Sequence, residues 1–227
     1  LHNSFIESEW HLLKTIWDKG LIYQGYKVVP YDPRIGATLS SHELAQGYKD
    51  VDDPSVFVRF SIVGLENTSF LVWTTTPWTL PSNTALCVGP KIDYVIVKTT
   101  NRYTHEPCTL VMAEALVGKH FPEKEALDHE IIGKCKGNDL VGIKYNQLLP
   151  YALPMNASEE AFRVIQGDFV TTEDGTGIVH IAPTFGADDM KVAKDAGVPP
   201  LLVDDGEGNG VPLVDLQGRF RPEMAEL

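Results

Sequence analysis

Apolar residues in the first part of the chain follow a loosely helical spacing. The spacing is carried by Phe5, Ile6, Leu12, Leu13, Ile16 and Trp17. It predicts a helix from Phe5 to Lys19 that ends at Gly20. Glycines and prolines interrupt residues 21–41, which favours short extended pieces and turns. We interpret residues 1–50 as a connecting arm.

From Ser55 onwards the pattern changes to short runs of β-branched and aromatic residues separated by turn formers, which is typical of strands. The predicted strands cover residues 56–62, 69–74, 84–88, 94–98, 109–112, 141–143, 162–165 and 178–182. Short helices are predicted over residues 113–118 and 187–196. This succession indicates a β-rich α+β fold with a β-barrel-like core over residues 51–203 and peripheral helices. Residues 204–227 are predicted to form an acidic loop and a return segment.

Composition restricts the classes of partner. With 227 residues, of which 43% are hydrophobic, the chain can bury the core of one sizeable domain. A formal net charge of −12 argues against broad electrostatic binding to a nucleic-acid backbone, so any RNA contact would be local. The chain begins at Leu1 in place of a methionine, and we expect it to be an excised fragment.

Cysteine usage and hydropathy point to a reducing cytoplasm. Cys87, Cys108 and Cys135 are far apart and lack a C-x-x-C spacing, so the sequence favours neither a disulfide framework nor a zinc site. We expect no metal and no cofactor. No apolar run approaches the ~18–20 residues that span a bilayer, and we expect no membrane contact.

The first segment with chemical character covers residues 73–83, Trp-Thr-Thr-Thr-Pro-Trp-Thr-Leu-Pro-Ser-Asn. Successive threonines on an extended backbone point to opposite sides, so at most two of the three hydroxyls can face one cavity. Hydroxyl and amide groups both donate and accept hydrogen bonds, which suits a carbonyl, a ribose hydroxyl or a water molecule. The alternative is that the threonines are simply good strand residues and that the prolines form a rigid surface loop.

The second segment covers residues 175–189, from a Gly-Thr-Gly turn into a strand that carries His180 on the same face as Ile178. Pro183 should end the strand and Gly186 should permit a tight bend before a helix that starts with Asp188 and Asp189. One of these acids is expected to cap the helix or interact with its dipole, which leaves the other able to bind an ammonium group or a water molecule.

Several alternatives to a catalytic role remain at this stage. A lone histidine on a strand is more often a hydrogen-bonded structural residue than a catalyst. The Gly-Thr-Gly turn lacks the lysine of a P-loop, and no G-x-G-x-x-G pattern is present. No side chain has the surroundings of an activated nucleophile, so a hydrolase built on these segments would use water.

Taken together, these two segments resemble the editing domains of isoleucyl-tRNA synthetases. The sister enzymes for leucine and valine carry arginine where this chain has Thr76, and they lack a histidine at the position of His180. Residues 18–31 and 39–51 resemble the stretch that leads into this domain, although Asp32 stands where many relatives have a cysteine. Residues 101–158 match weakly. The class I signatures for amino-acid activation are absent, so this chain is not expected to activate amino acids.

The resemblance implies a function and a set of residue roles. It implies hydrolysis of the ester of Val-tRNA for isoleucine, and leaves open whether valyl-adenylate is a second substrate. The expected partners are the tRNA 3′-terminal adenosine carrying valine and the catalytic domain of the parent synthetase, with the protein itself a monomer. The implied catalytic residues are Asp189, which would anchor the α-ammonium group, and Thr75 and Thr76. The implied substrate-binding residues are Thr74, Trp78, Thr79, Asn83 and His180, with His180 and Trp78 limiting the size of the side chain.

Two other functions are compatible with the same residues. One is a non-catalytic insert that guides the tRNA 3′ end, with the threonines as ribose contacts. The other is a general metal-dependent hydrolase, which the lack of a clustered set of histidine and carboxylate ligands makes less favourable.

Overall fold

The computed structural model describes residues 2–23, 25–122 and 128–222. Within the arm, helix α1 runs from Asn3–Asp18, the short strands β1 (Tyr31–Asp32) and β2 (Ala37–Thr38) pair with each other, and helix α2 covers Ser41–Ala45. The predicted first helix is therefore confirmed. None of its side chains is buried, since its apolar face has no partner in the described residues.

The rest of the chain is dominated by strands. In chain order they are β3 (Val56–Ser61), β4 (Thr68–Thr74), β5 (Ala85–Val88), β6 (Asp93–Thr100), β7 (Pro107–Ala113), β8 (His129–Lys136), β9 (Arg163–Gln166), β10 (Ile178–Ile181), β11 (Val203–Asp204) and β12 (Gly210–Val211). Three short helices separate them: α3 (Val117–His120), α4 (Gly137–Leu140) and α5 (Ala187–Asp195). Single-turn 3₁₀ helices cover Glu114–Leu116 and Ser158–Glu160, and a longer one covers Pro77–Ser82.

These strands form two main sheets. The first has five strands in the order β3-β4-β7-β6-β8, and the second has three in the order β10-β5-β9. Strands β4 and β7 pair in parallel, as do β5 and β9, whereas the other neighbours in these two sheets are antiparallel. A separate pair, β11 and β12, closes the predicted acidic loop. Residues 223–227 of the predicted return segment lie outside the described residues.

The alternation of side chains along β5 separates two apolar cores. Leu86 and Val88 join the larger core, which includes the fully buried Phe60 and Phe70 of the five-stranded sheet. Ala85 and Cys87 point the other way, into a smaller core with Ala193 of α5. Because side chains alternate with a period of two, one central strand serves both cores. The smaller sheet thus lies between the five-stranded sheet and helix α5.

The α+β class is confirmed, and most predicted elements lie within a few residues of their predicted positions. The strand predicted at residues 141–143 is wrong: that segment crosses between the sheets, with Gly142 N–H donating to the carbonyl of Val164 and Asn146 N–H to that of Ser61. Strand β8 was not predicted, because its exposed edge position leaves it without an apolar pattern. Among the described residues the strands form separate sheets and do not close into one barrel. No helix in the described ranges combines the length and apolarity needed to cross a bilayer.

Candidate functional site

Strands β5 and β10 bring the two sequence segments together. Leu86 pairs with His180 and Ala85 with Ile181, and the N–H of Thr84 donates to the carbonyl of Ile181 at 3.0 Å. The 73–83 segment leads directly into β5, so it is placed against the end of β10. Residues about 100 positions apart therefore share one site.

The threonine run forms a small cluster at the end of β4. Thr74 is buried, whereas Thr75 and Thr76 are exposed. The hydroxyl oxygens of Thr74 and Thr76 are 3.3 Å apart, and the Thr76 N–H donates to Thr74 Oγ1 at 3.1 Å. Two hydroxyls thus lie together, as strand alternation predicts, and the Thr75 side chain is exposed to solvent.

His180 is largely buried, with 6% of its surface exposed, and both ring nitrogens have polar neighbours. Its ring Nε2 is 2.9 Å from the Thr79 hydroxyl, which in turn donates to the Thr76 carbonyl at 2.8 Å. A hydroxyl has only one hydrogen, so Thr79 must accept from His180, which assigns the proton to Nε2. Burial lowers the pKa of His180 to about 4, so the ring is neutral at pH 7.

Asn83 contacts the other side of the histidine ring. Its amide Nδ2 donates to the carbonyl of Ala85 at 2.8 Å and lies 3.5 Å from His180 Nδ1. Its Oδ1 accepts from the Tyr145 hydroxyl at 2.6 Å. The Ala85 carbonyl must accept from the amide nitrogen, and the Tyr145 hydroxyl donates to the amide oxygen, so both contacts are consistent with the same orientation of the Asn83 amide. Sequence reasoning missed Tyr145, which lies in the weakly matching part of the chain and carries no motif.

Asp189 occupies the third position of helix α5, whose N-cap is Gly186. Neither aspartate is the N-cap, but Asp188 and Asp189 both lie in the first turn, where a negative charge interacts favourably with the helix dipole, as expected. Asp189 Oδ2 accepts from the Ala182 N–H, outside the helix, at 2.8 Å. Gly186 has a φ of −108° and makes no left-handed bend. It provides clearance, because a Cβ there would lie 2.6 Å from Asp189 Cγ.

The carboxylate of Asp189 lies in a poorly solvated environment. Burial raises its pKa, the Ala182 N–H partly offsets this, and the neighbouring Asp188 raises the pKa further. Behind it, burial and, to a smaller extent, Asp189 raise the pKa of the Cys87 thiol to about 12. This thiol is therefore protonated at neutral pH, and the local negative charge lies on the aspartates.

Trp78 links the two segments at the surface. Its side chain is 51% exposed, and its ring contacts that of Phe185 with centroids 4.8 Å apart. Phe185 follows β10 and was not singled out from the sequence. The structure therefore brings Thr76, Thr79, Asn83 and His180 into one network and adds Trp78 through Phe185. Asp189 joins them through the main chain of Ala182.

A separate cavity of about 590 Å³ opens on the outer face of the five-stranded sheet. Phe57, Trp73 and Phe121 line it, together with Arg59. None of the predicted site residues lines this cavity. The hydrogen-bonded cluster, and not the volume of this cavity, therefore defines the candidate site. Within the residues that the structure describes, no three His, Cys, Asp or Glu side chains come close enough together to hold a metal ion.

Comparison with known proteins gives concordant results. Residues 1–192 match the family model for tRNA synthetases class I (I, L, M and V). The chain is 51% identical to an isoleucine--tRNA ligase of Cytophaga hutchinsonii, covering 99% of this chain and 22% of that protein. It is 52% identical to one of Bacteroides fragilis, covering 96% and 21%. The chain thus spans about a fifth of the length of these curated relatives.

A crystal structure described as GlLeuRS-CP1 also resembles the chain. The TM-score is 0.44 with 21% sequence identity, and the match covers 68% of this chain and 62% of that chain.

Proposed function

The chain belongs to the class I tRNA synthetases (I, L, M and V), and we propose that it is the editing part of an isoleucine--tRNA ligase, where it hydrolyses valine from mischarged tRNA. The observation that carries the proposal is the placement of Asp189. A poorly solvated carboxylate, which accepts a hydrogen bond from the Ala182 N–H, lies at the end of the strand that carries His180. Such a group suits the α-ammonium of an aminoacyl ester.

The electrostatic argument rests on burial. Removing water from around a carboxylate strengthens its attraction to a nearby cation, because the local dielectric constant falls. Asp189 Oδ2 already accepts one hydrogen bond, from Ala182, so its direction is fixed before the substrate binds. A fixed anion at this point would hold the ammonium group and thereby place the ester carbonyl next to the threonine cluster.

The reaction would be direct attack by water. A water oxygen bonds to the ester carbonyl carbon, the bond from that carbon to the ribose oxygen breaks, and the ribose oxygen takes a proton. The products are valine and tRNA with a free terminal hydroxyl. The hydroxyls of Thr74 and Thr76, which lie together, would orient the ester and the water, while the exposed Thr75 would contact the terminal adenosine. Positioning of this kind supplies much of the rate. Asn83 and Thr79 are buried with their polar atoms hydrogen-bonded within the protein, so they would support the site by holding His180 and the threonine loop in place.

Selectivity would come from the size of the site. One methylene is worth only about 1–3 kcal/mol in an apolar pocket, a limit for which isoleucyl-tRNA synthetase is the standard illustration. Exclusion of the larger side chain requires a rigid wall. The neutral ring of His180, held at both nitrogens by Thr79 and Asn83, would provide one, with Trp78 against Phe185 as a second.

The decisive experiment measures deacylation of Val-tRNA and Ile-tRNA for isoleucine by the full-length ligase, with and without Asp189→Ala. We expect the variant to lose hydrolysis of the valyl ester. His180→Ala should begin to hydrolyse the isoleucyl ester. A non-catalytic guide for the tRNA 3′ end would instead leave deacylation unchanged in Asp189→Ala, and a metal-dependent hydrolase would lose activity on chelation.

The proposed deacylation also implies which partners the chain binds. They are the tRNA 3′-terminal adenosine carrying valine and the remainder of the ligase, with valyl-adenylate as an additional substrate to be tested. The net charge of −12 suits a domain that contacts only the end of the tRNA while the rest of the ligase holds the body. A monomer acting in the cytoplasm remains the expectation.

A further inference from the structure

Tyr145 is a buried residue that contacts the site directly and that the sequence did not single out. It is 2% exposed, and its ring packs edge-on against Phe60 with centroids 5.3 Å apart. Its main chain bridges the two sheets, pairing with Ile62 on one side and donating from its N–H to the Phe162 carbonyl on the other. The position of its hydroxyl is therefore set by both sheets.

The backbone around Tyr145 is also held in an unusual conformation. Phe162 has a φ of 58°, in the left-handed region that non-glycine residues rarely adopt. Its N–H donates to the Thr84 carbonyl at 2.7 Å, and its carbonyl accepts from Tyr145. Thr84 follows Asn83 directly. Strain of this kind persists only where the surrounding contacts determine the structure, and here those contacts connect Tyr145 to the site.

We propose that Tyr145 is a positioning residue of the site, acting on the threonine loop through Asn83, His180 and Thr79. The Tyr145 hydroxyl donates to Asn83 Oδ1, the Asn83 amide faces His180 Nδ1, and His180 Nε2–H donates to Thr79. Thr79 then donates to the Thr76 carbonyl. The Ala85 carbonyl sets the orientation of the Asn83 amide, and the donation from Thr79 to Thr76 sets the direction of the bond between His180 and Thr79. The Asn83 amide nitrogen lies 3.4 Å from the Ile181 carbonyl and 3.5 Å from His180 Nδ1, so it contacts both acceptors. Tyr145 acts by holding Asn83 in place against this end of the histidine ring.

The series has a functional consequence that rests on the proposed deacylation. It ends at Thr76, whose hydroxyl lies beside that of Thr74, so it fixes the residues that would orient the ester and the water. It also holds His180 in the Nε2–H tautomer, which turns a buried ring into a rigid wall. Tyr145 touches no substrate in this scheme and should therefore affect the rate more than binding.

The test compares Tyr145→Phe with a matched control, Tyr94→Phe, in the full-length ligase. Tyr94 is also fully buried, and its hydroxyl donates a 2.6 Å hydrogen bond to the Gly177 carbonyl, outside the series. The first readout is hydrogen–deuterium exchange at the C2 carbon of histidine, measured by mass spectrometry on the tryptic peptide of residues 164–191. His180 is the one histidine in that stretch of sequence, so the signal is unambiguous.

We expect Tyr145→Phe to exchange at His180 roughly 5–10-fold faster than wild type, because a buried hydrogen bond of this kind shifts a local opening equilibrium by about that factor. Tyr94→Phe should exchange at the wild-type rate. An unchanged rate in Tyr145→Phe would overturn the proposal, and so would equal acceleration in both variants, which would indicate general loosening. Asn83→Ala carries the same expectation if Tyr145→Phe does not fold.

The second readout is deacylation of Val-tRNA. Tyr145→Phe should lower kcat roughly tenfold and leave KM unchanged. If wild-type ligase does not deacylate at all, the proposed function fails, whereas exchange at His180 still decides whether Tyr145 positions the network.

Discussion

Gly186→Ala tests the role of Asp189 without removing its charge. A methyl group at this position would lie 2.6 Å from Asp189 Cγ and 2.9 Å from both carboxylate oxygens. Carbon atoms pack at about 3.5–4.0 Å, so the carboxyl group must move by about 1 Å. The backbone itself accepts alanine, because Gly186 has an ordinary φ of −108°. The strain therefore falls on the Asp189 side chain.

The magnitude follows from that displacement. A misplacement of about 1 Å at a reacting site lowers the rate roughly 100-fold. We therefore expect deacylation of Val-tRNA by Gly186→Ala to fall roughly 100-fold in kcat/KM. Stability should change little. Loss of the Ala182 hydrogen bond, about 1.5–3 kcal/mol for a charged acceptor, is offset by better hydration of the carboxylate and by the lower entropy of an unfolded alanine.

The assay is single-turnover deacylation by the full-length ligase, with thermal unfolding measured in parallel. Gly118→Ala is the matched control, since a Cβ there meets nothing within 4 Å in helix α3. It should retain full activity. A wild-type rate for Gly186→Ala would refute the reasoning, because it would show that the position of the Asp189 carboxylate does not matter for hydrolysis.

Three further predictions concern charge and hydrogen bonding at the site. Burial raises the pKa of Asp189, so the ionised carboxylate destabilises the folded state. The protonated carboxyl group binds its proton more tightly in the folded state, and this contribution to stability is present at low pH and lost as pH rises through the raised pKa. Asp189→Asn should therefore abolish deacylation while its melting temperature at pH 7 equals or exceeds that of wild type; a clear drop would contradict this. The pKa of His180 is about 4 in the fold and 6.5 in the unfolded chain. This difference corresponds to about 3 kcal/mol of unfolding free energy, which is present above pH 6.5 and lost as pH falls towards 4. Urea unfolding across this pH range should show that loss in wild type and not in His180→Gln. Thr79→Val should destabilise the fold by about 1–3 kcal/mol by leaving the buried Nε2–H of His180 without an acceptor, whereas Thr79→Ser should not; equal unfolding free energies for the two variants would argue against the assigned tautomer.

Elements with a local pattern of residues could be predicted from the sequence. Strands β4 and β10 are each marked by apolar residues bounded by glycine or proline, and helix α5 by acidic residues at its start and Gly197 after its end. Gly197 has a φ of +70°, as expected after a helix. The same patterns marked the two segments that form the site. Strand β8 gave no such signal, because an exposed edge strand needs no apolar alternation.

The way in which those segments work together depends on contacts between residues that are distant in the sequence. The tautomer of His180 depends on Thr79, and the Asn83 side chain beside the other ring nitrogen is held by Tyr145, more than 60 positions away. The sequence spacing of Gly186 and Asp189 does not show that a Cβ at position 186 would lie 2.6 Å from Asp189 Cγ. The pKa values of His180 and Asp189 shift because sheet packing removes water around them. Residue types and periodicity are local properties, whereas hydrogen-bond direction, clearance and dielectric environment are set by residues that only folding brings together.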